Sequence, residues 1–163
     1  MEKREQPRST LLCPTRGGRA SYPNQDRAIA IAKEREADIL FLYVSNIQFL
    51  GLTALPVVVD IETELEEMGE FMLAMAQERA EKAGVRADIL VKSGVFREVL
   101  QEVIEERPMI TAVVLGSSAK GSGHTTREFV LDLAAQMSRK TGVEFTVMHE
   151  GEVIETFRPE EKA

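Results

Sequence analysis

"VVLGSSAKGSGHTTREF", Val113 to Phe129, decides how the rest of this chain is read. It opens as an apolar run, breaks at Gly116, passes through small and hydroxylated residues, and then takes up a charged helical pattern. An apolar strand that runs through a glycine-containing loop into a helix is one half of a βαβ unit. The same alternation recurs on both sides of it.

The apolar runs "TLLCP" (Thr10 to Pro14), "DILFLYVS" (Asp38 to Ser45), "VRADILV" (Val85 to Val91) and "ITAVVLG" (Ile110 to Gly116) read as strands buried on both faces, and "VEFTVMH" (Val143 to His149) alternates. Between them lie helical patterns. Asn24 to Ala37 is the first, with Asn24 as N-cap behind Pro23. Asp60 to Ala83 sets Ile61, Leu65, Met68, Met72 and Met75 in one stripe, interrupted by Gly69 and ended by Gly84. Val95 to Arg107 stops at Pro108, and Thr126 to Lys140 precedes Gly142. Strands alternating with helices predict right-handed crossovers. The expected fold is α/β: one doubly wound domain over residues 1–149, with a five-stranded, mainly parallel sheet and helices on both faces.

Two segments stand outside this pattern. "NIQFLGLTALPVVV" (Asn46 to Val59) is too apolar for a solvated loop and reads as a lid, a packing arm or a dimer surface. Residues 150–163 form a C-terminal tail in which Val153, Ile154 and Phe157 follow a turn at Gly151. These suit an extra hairpin strand or an arm to a partner subunit, ahead of an acidic end expected to be disordered.

Composition narrows the function. The formal net charge of −7 sets the average surface against nucleic acid and anionic lipid, so neither is an expected partner. No apolar stretch reaches the roughly 18 residues of a membrane span, and the charged N-terminus lacks the apolar core of a signal peptide. Cys13 is the single cysteine, which excludes an intrachain disulfide and a thiolate zinc cluster and points to a reducing cytoplasm.

In an open α/β sheet, ligands lie outside the carboxyl ends of the strands, where strand order reverses. With the first and fourth strands adjacent, "PTRGGRAS" (Pro14 to Ser21) and the opening stretch face each other there. Both are basic in an acidic protein, through Arg16 and Arg19 on one side and Lys120 and Arg127 on the other. Gly116, Gly121 and Gly123 allow positive φ and close approach to a ligand, and the last helix would aim free N–H groups at the same place. A capping box of Thr125 and Glu128 would instead satisfy those groups internally.

A first strand ending in Pro14-Thr15, a second ending in Tyr43-Val44-Ser45 and a fourth running into "VVLGSS" resemble the universal stress protein family, over about Leu11 to Met148. The resemblance implies an adenine nucleotide alpha hydrolase-like sheet of order 3-2-1-4-5, a homodimer through the last strand and tail, and ATP or AMP as ligand in some members. It carries over to Pro14, Thr15, Val44 as an adenine-facing position, and Gly116. Where nucleotide-binding members have Asp, a second Gly and a Gly-Ser/Thr pair, this chain has Arg16, Ala119 and Phe129-Val130. Arg16 suits phosphate or carboxylate. Ser117, Lys120, Gly121, Ser122, Gly123 and Thr125 supply a remodelled loop.

Other motifs fail. Ser122 stands where a Walker loop needs Lys, Gly121-Ser122-Gly123 lacks the third glycine of a dinucleotide fingerprint, and "RGGRAS" only faintly resembles the loop of ATP pyrophosphatases. Catalysis finds little support: His124 and His149 are the only histidines, and Cys13 reads as a buried hydrophobe. No metal is expected beyond nucleotide-associated magnesium. Two readings result. One is a cytoplasmic regulator or sensor holding an adenine nucleotide or another small phosphate-bearing anion without significant turnover. The other is a nucleotide-independent dimeric interaction module of the same fold.

Overall fold

The computed structural model describes residues 8–16, 19–45, 56–117 and 126–159, with the side chains of 56–62 outside that description. Among the described residues six strands form a single sheet. They are β1 (Thr10–Pro14), β2 (Asp38–Ser45), β3 (Ala87–Ser93), β4 (Ile110–Gly116), β5 (Glu144–His149) and β6 (Glu152–Phe157). Four helices connect them: α1 (Tyr22–Glu34), α2 (Pro56–Lys82), α3 (Phe96–Glu106) and α4 (Arg127–Thr141).

The sheet order is β3-β2-β1-β4-β5-β6, parallel throughout except for the antiparallel β5–β6 hairpin. The expected order of the first five strands is therefore present, and the tail adds a sixth. Glu150 (φ 48) and Gly151 (φ 83) make the turn that reverses the chain. β6 then pairs with the outer edge of β5, setting Phe157 opposite Phe145.

Alternate side chains of the parallel strands enter two cores. On the α3–α4 face, Leu12, Leu40, Leu42, Val113, Leu115, Phe145 and Val147 pack with Val99, Val103, Leu133 and Met137. On the α1–α2 face, Leu11, Cys13, Ile39, Phe41, Ala112 and Val114 pack with Ala28, Ile29, Leu73, Ala76 and Ala80. Burial pushes the Cys13 thiol up to about 12, so it stays protonated and unreactive across the neutral range.

Several local expectations are corrected. Asn24 lies inside α1, whose N-cap is Ser21 with Pro23 in the first turn. α4 is capped by Thr126, whose hydroxyl accepts from the Phe129 N–H, in place of the Thr125–Glu128 box. Pro56 to Val59, placed in the apolar connecting segment, open α2; residues 46–55 of that segment lie outside the described residues. β3 begins at Ala87, two residues later than its apolar run, because Val85 still packs beneath α2.

The largest correction concerns α2. Gly69, Leu73, Ala76 and Ala80 face the sheet, while Met68 and Met75 of the sequence-read stripe are exposed. The small residues let the helix approach closely: a Cβ on Gly69 would lie 2.5 Å from Cδ1 and 2.9 Å from Cγ of Tyr43. Helix propensity alone makes Gly69→Ala stabilising by about 1 kcal/mol. Overpacking against the Tyr43 ring costs about 1–3 kcal/mol, so a net loss of about 1 kcal/mol is expected. Denaturant midpoints test this, with Tyr43→Ala as the background in which the same substitution should become stabilising.

Candidate functional site

The site is built from the carboxyl ends of β1, β2, β4 and β5. β1 pairs with both β2 and β4, so strand order reverses between β1 and β4. Leu12 is opposite Val113. Continued, that register sets Thr15 level with Gly116, which brings the two expected turns onto one rim.

Pro14 and Thr15 are half-buried and Arg16 is exposed, with the Thr15 N–H still bonded to the Leu42 carbonyl at 2.8 Å. Val44, also half-buried, is the last residue but one of β2 and lies beside the α3–α4 core. Gly116 is the last residue of β4, and its φ is not positive, contrary to expectation. Ser117 follows, tied to β5 by its N–H and hydroxyl, which both donate to the Met148 carbonyl at 2.8 and 3.1 Å. Ala119, Lys120, Gly121, Ser122, Gly123 and Thr125 lie outside the described residues. Phe129 and Val130 stand in the first turn of α4, Phe129 exposed and Val130 buried in the core.

Residues absent from the sequence reading of the site shape it. Asn24 on α1 rests against Gly116, its amide nitrogen 2.6 Å from where a Gly116 Cβ would stand. Its oxygen accepts from the Gly151 N–H at 2.8 Å, which fastens the β5–β6 turn to the same place. Gln25 is 1% exposed and donates to the Thr15 hydroxyl at 3.0 Å, while its oxygen accepts from Arg79 at 2.8 Å. The Arg79 guanidinium also pairs with Asp26 and stacks 4.0 Å from the Tyr22 ring centre. Arg79 is thus engaged by α1 and braces the β1 turn from α2.

His149 closes the β5 end. Its Nδ1 lies 3.0 Å from the Ser117 carbonyl, a contact that needs the proton on Nδ1, and Nε2 is 4.0 Å from the Glu150 carboxylate. His149, the last residue of β5, therefore adjoins the start of the turn after β4. Ser45, 4% exposed at the end of β2, has a hydroxyl without a hydrogen-bond partner among the described residues. Chemically, the described half of the site offers the exposed cations Arg16, Arg19 and Arg127, hydroxyl-bearing turns and an imidazole. Among the described residues no cluster of His, Cys, Asp and Glu is suited to a metal ion, and no helix is long and apolar enough to cross a membrane.

No family model matches this sequence, and no curated protein matches it. Solved structures do match its fold. A universal stress protein family member from Burkholderia pseudomallei superposes with a TM-score of 0.61 at 18% identity, over 86% of this chain and 95% of that one. A universal stress protein in complex with cAMP gives a TM-score of 0.57 at 19% identity, over 88% and 98% of the two chains. A universal stress protein from Archaeoglobus fulgidus in complex with dAMP gives 0.52 at 11% identity, over 90% and 98%. The chain has the universal stress protein fold, extended by the antiparallel β6.

Proposed function

We propose, from the universal stress protein fold of this chain, that it is a cytoplasmic regulator or sensor. In this reading it takes an adenine nucleotide, ATP or AMP, or another phosphate-bearing anion between the turns after β1 and β4, without significant turnover. The observation that carries the reading is the β1–β4 pairing, which sets exposed Arg16 on the same rim as the end of β4. The cAMP and dAMP complexes of structural neighbours support an adenine nucleotide as the ligand class.

Arg16 offers its guanidinium to phosphate, and Val44 offers an apolar surface to a base. Thr15 and Ser117 keep the two turns in place through their bonds to Gln25 and Met148. Lys120, Gly121, Ser122, Gly123 and Thr125 would complete the anion contacts, and magnesium would enter only with a nucleotide. Unfolding midpoints with ATP, AMP, cAMP and inorganic phosphate test this. A ligand at 100 times its dissociation constant should add about 2.7 kcal/mol, and Arg16→Ala should abolish the gain. A flat response to all four ligands sinks the reading.

The second reading, a nucleotide-independent dimeric interaction module, is favoured by Asn24. Its side chain occupies the face of Gly116, so the close approach that this glycine permits is used within the fold. A flat ligand response from a chain that still self-associates is its expected result.

A further inference from the structure

α2 holds almost all of the chain's excess charge. It carries eight acids against two bases, a net −6 in a chain whose net charge is −7. Both bases are already engaged within the fold. Arg79 is held by Asp26 and Gln25 of α1, and Lys82 lies 3.1 Å from Glu78 one turn back. Exposed Glu67, Glu70, Glu78 and Glu81 therefore form an acidic flank, at about 100° per residue, with Glu64 near its start. Glu78 apart, none of these pairs with a cation among the described residues. Beside this flank, on the side of the helix turned away from the sheet, lie Met68, Phe71 and Met75, 53%, 69% and 42% exposed. Half-buried Met72 adjoins them, and with Glu64 and Glu67 they edge a shallow depression. A helix that needed only to cover the sheet would be polar here.

We propose that this outward face of α2 docks a cationic amphipathic helix of a different protein. The partner lays its apolar stripe on Met68, Phe71 and Met75 and its Lys or Arg side chains on the flanking carboxylates. Charge selects this occupant. A second copy of α2 would bring eight acids against these, so it is repelled. Residues 46–55 are apolar but carry neither acid nor base, and would leave the carboxylates unneutralised. Anionic lipid is repelled by the same flank. A cationic apolar partner gains from both halves of the surface.

Geometry selects a helix. Glu64, Met68, Phe71, Met75 and Glu78 follow one another at alternating spacings of four and three, a stripe about 21 Å long on which a second helix can lie. The backbone of α2 is saturated by its own hydrogen bonds, so an extended peptide would gain none from it, whereas a helix arrives with its own backbone satisfied. Unbranched methionines adapt to the side chains laid on them. Docking here is independent of whether the crevice takes an anion.

The probe is a synthetic amphipathic Leu/Lys peptide of about 18 residues, about 27 Å long as a helix. Added to full-length chain labelled with 13C at its methionine methyls, it should move the signals of Met68, Met72 and Met75. Those of Met137 and Met148, fully buried in the two cores, should stay in place. Fluorescence anisotropy should show the affinity falling with added salt, and falling about tenfold or more with Phe71→Ser and with the pair Glu67→Lys and Glu70→Lys. Both variants change exposed residues, and an unchanged circular dichroism spectrum confirms that they fold. Equal binding of a Leu/Glu peptide, or of a Lys peptide with serine in place of leucine, would overturn the proposal, as would no movement of the three methyls. So would movement of the same methyls without peptide in three cases: on concentrating the chain, on Phe49→Ser, or on adding phosphatidylcholine vesicles. Those results would give the face to a second copy, to the chain's own apolar segment or to lipid.

Discussion

Leu73→Ala is expected to lower the free energy of unfolding by about 2–5 kcal/mol, while Phe71→Ala, two residues away on the same helix, leaves it within about 0.5 kcal/mol. Leu73 is fully buried against the α1–α2 core, and truncating it removes burial and leaves a cavity under a helix pinned by Gly69 on Tyr43. Phe71 is 69% exposed, so its removal from a lone chain takes little apolar surface out of contact. Urea titrations at a protein concentration too low for self-association read both changes. Comparable losses at the two positions would mean that α2 is rotated about its axis from the orientation described.

Phe145→Ala is expected to cost about 3–5 kcal/mol. Phe145 is fully buried on β5, between Val113 of β4 and Phe157 of β6, and it belongs to the core under α4. The size of the loss depends on β6 being in place, because β6 turns β5 from an edge strand into an interior one. Val153→Ala on β6 is the control: Val153 is 42% exposed, and its truncation should cost a small fraction as much. A loss at Phe145 no greater than at Val153 would place β5 at the margin of the sheet and β6 off it.

The strands were the most legible part of the sequence. β1, β2 and β4 have the limits that their apolar runs suggest, since interior parallel strands are covered on both faces and carry no polar alternation to blur their ends. β3 is an edge strand with half-buried side chains, and its run was misplaced by two residues. α2 was misread in face although not in kind. Large apolar side chains dominate any periodic reading, yet the residues of α2 buried on the sheet are Gly69, Leu73, Ala76 and Ala80.

The candidate site was legible in its strand ends and illegible in its supports. Pro14, Thr15, Arg16, Val44, Gly116 and Ser117 lie at the carboxyl ends of adjoining strands, as the alternating pattern implied. Asn24 looked like a cap because it follows Pro23. Its partners are Gly116 and Gly151, and the second is 127 positions away, so no local spacing could reveal the contact. Gln25 and Arg79 are joined across 54 positions for the same reason.

The order of apolar runs and helix punctuation was enough to specify a doubly wound sheet, because burial on two faces and backbone hydrogen bonding leave few other ways to use such runs. Which face of α2 meets the sheet, which strand closes its edge, and which side chain rests on Gly116 were decided only when distant segments packed together. Those outcomes depend on fit within an ångström between residues far apart in the chain, and a linear pattern holds no record of that distance.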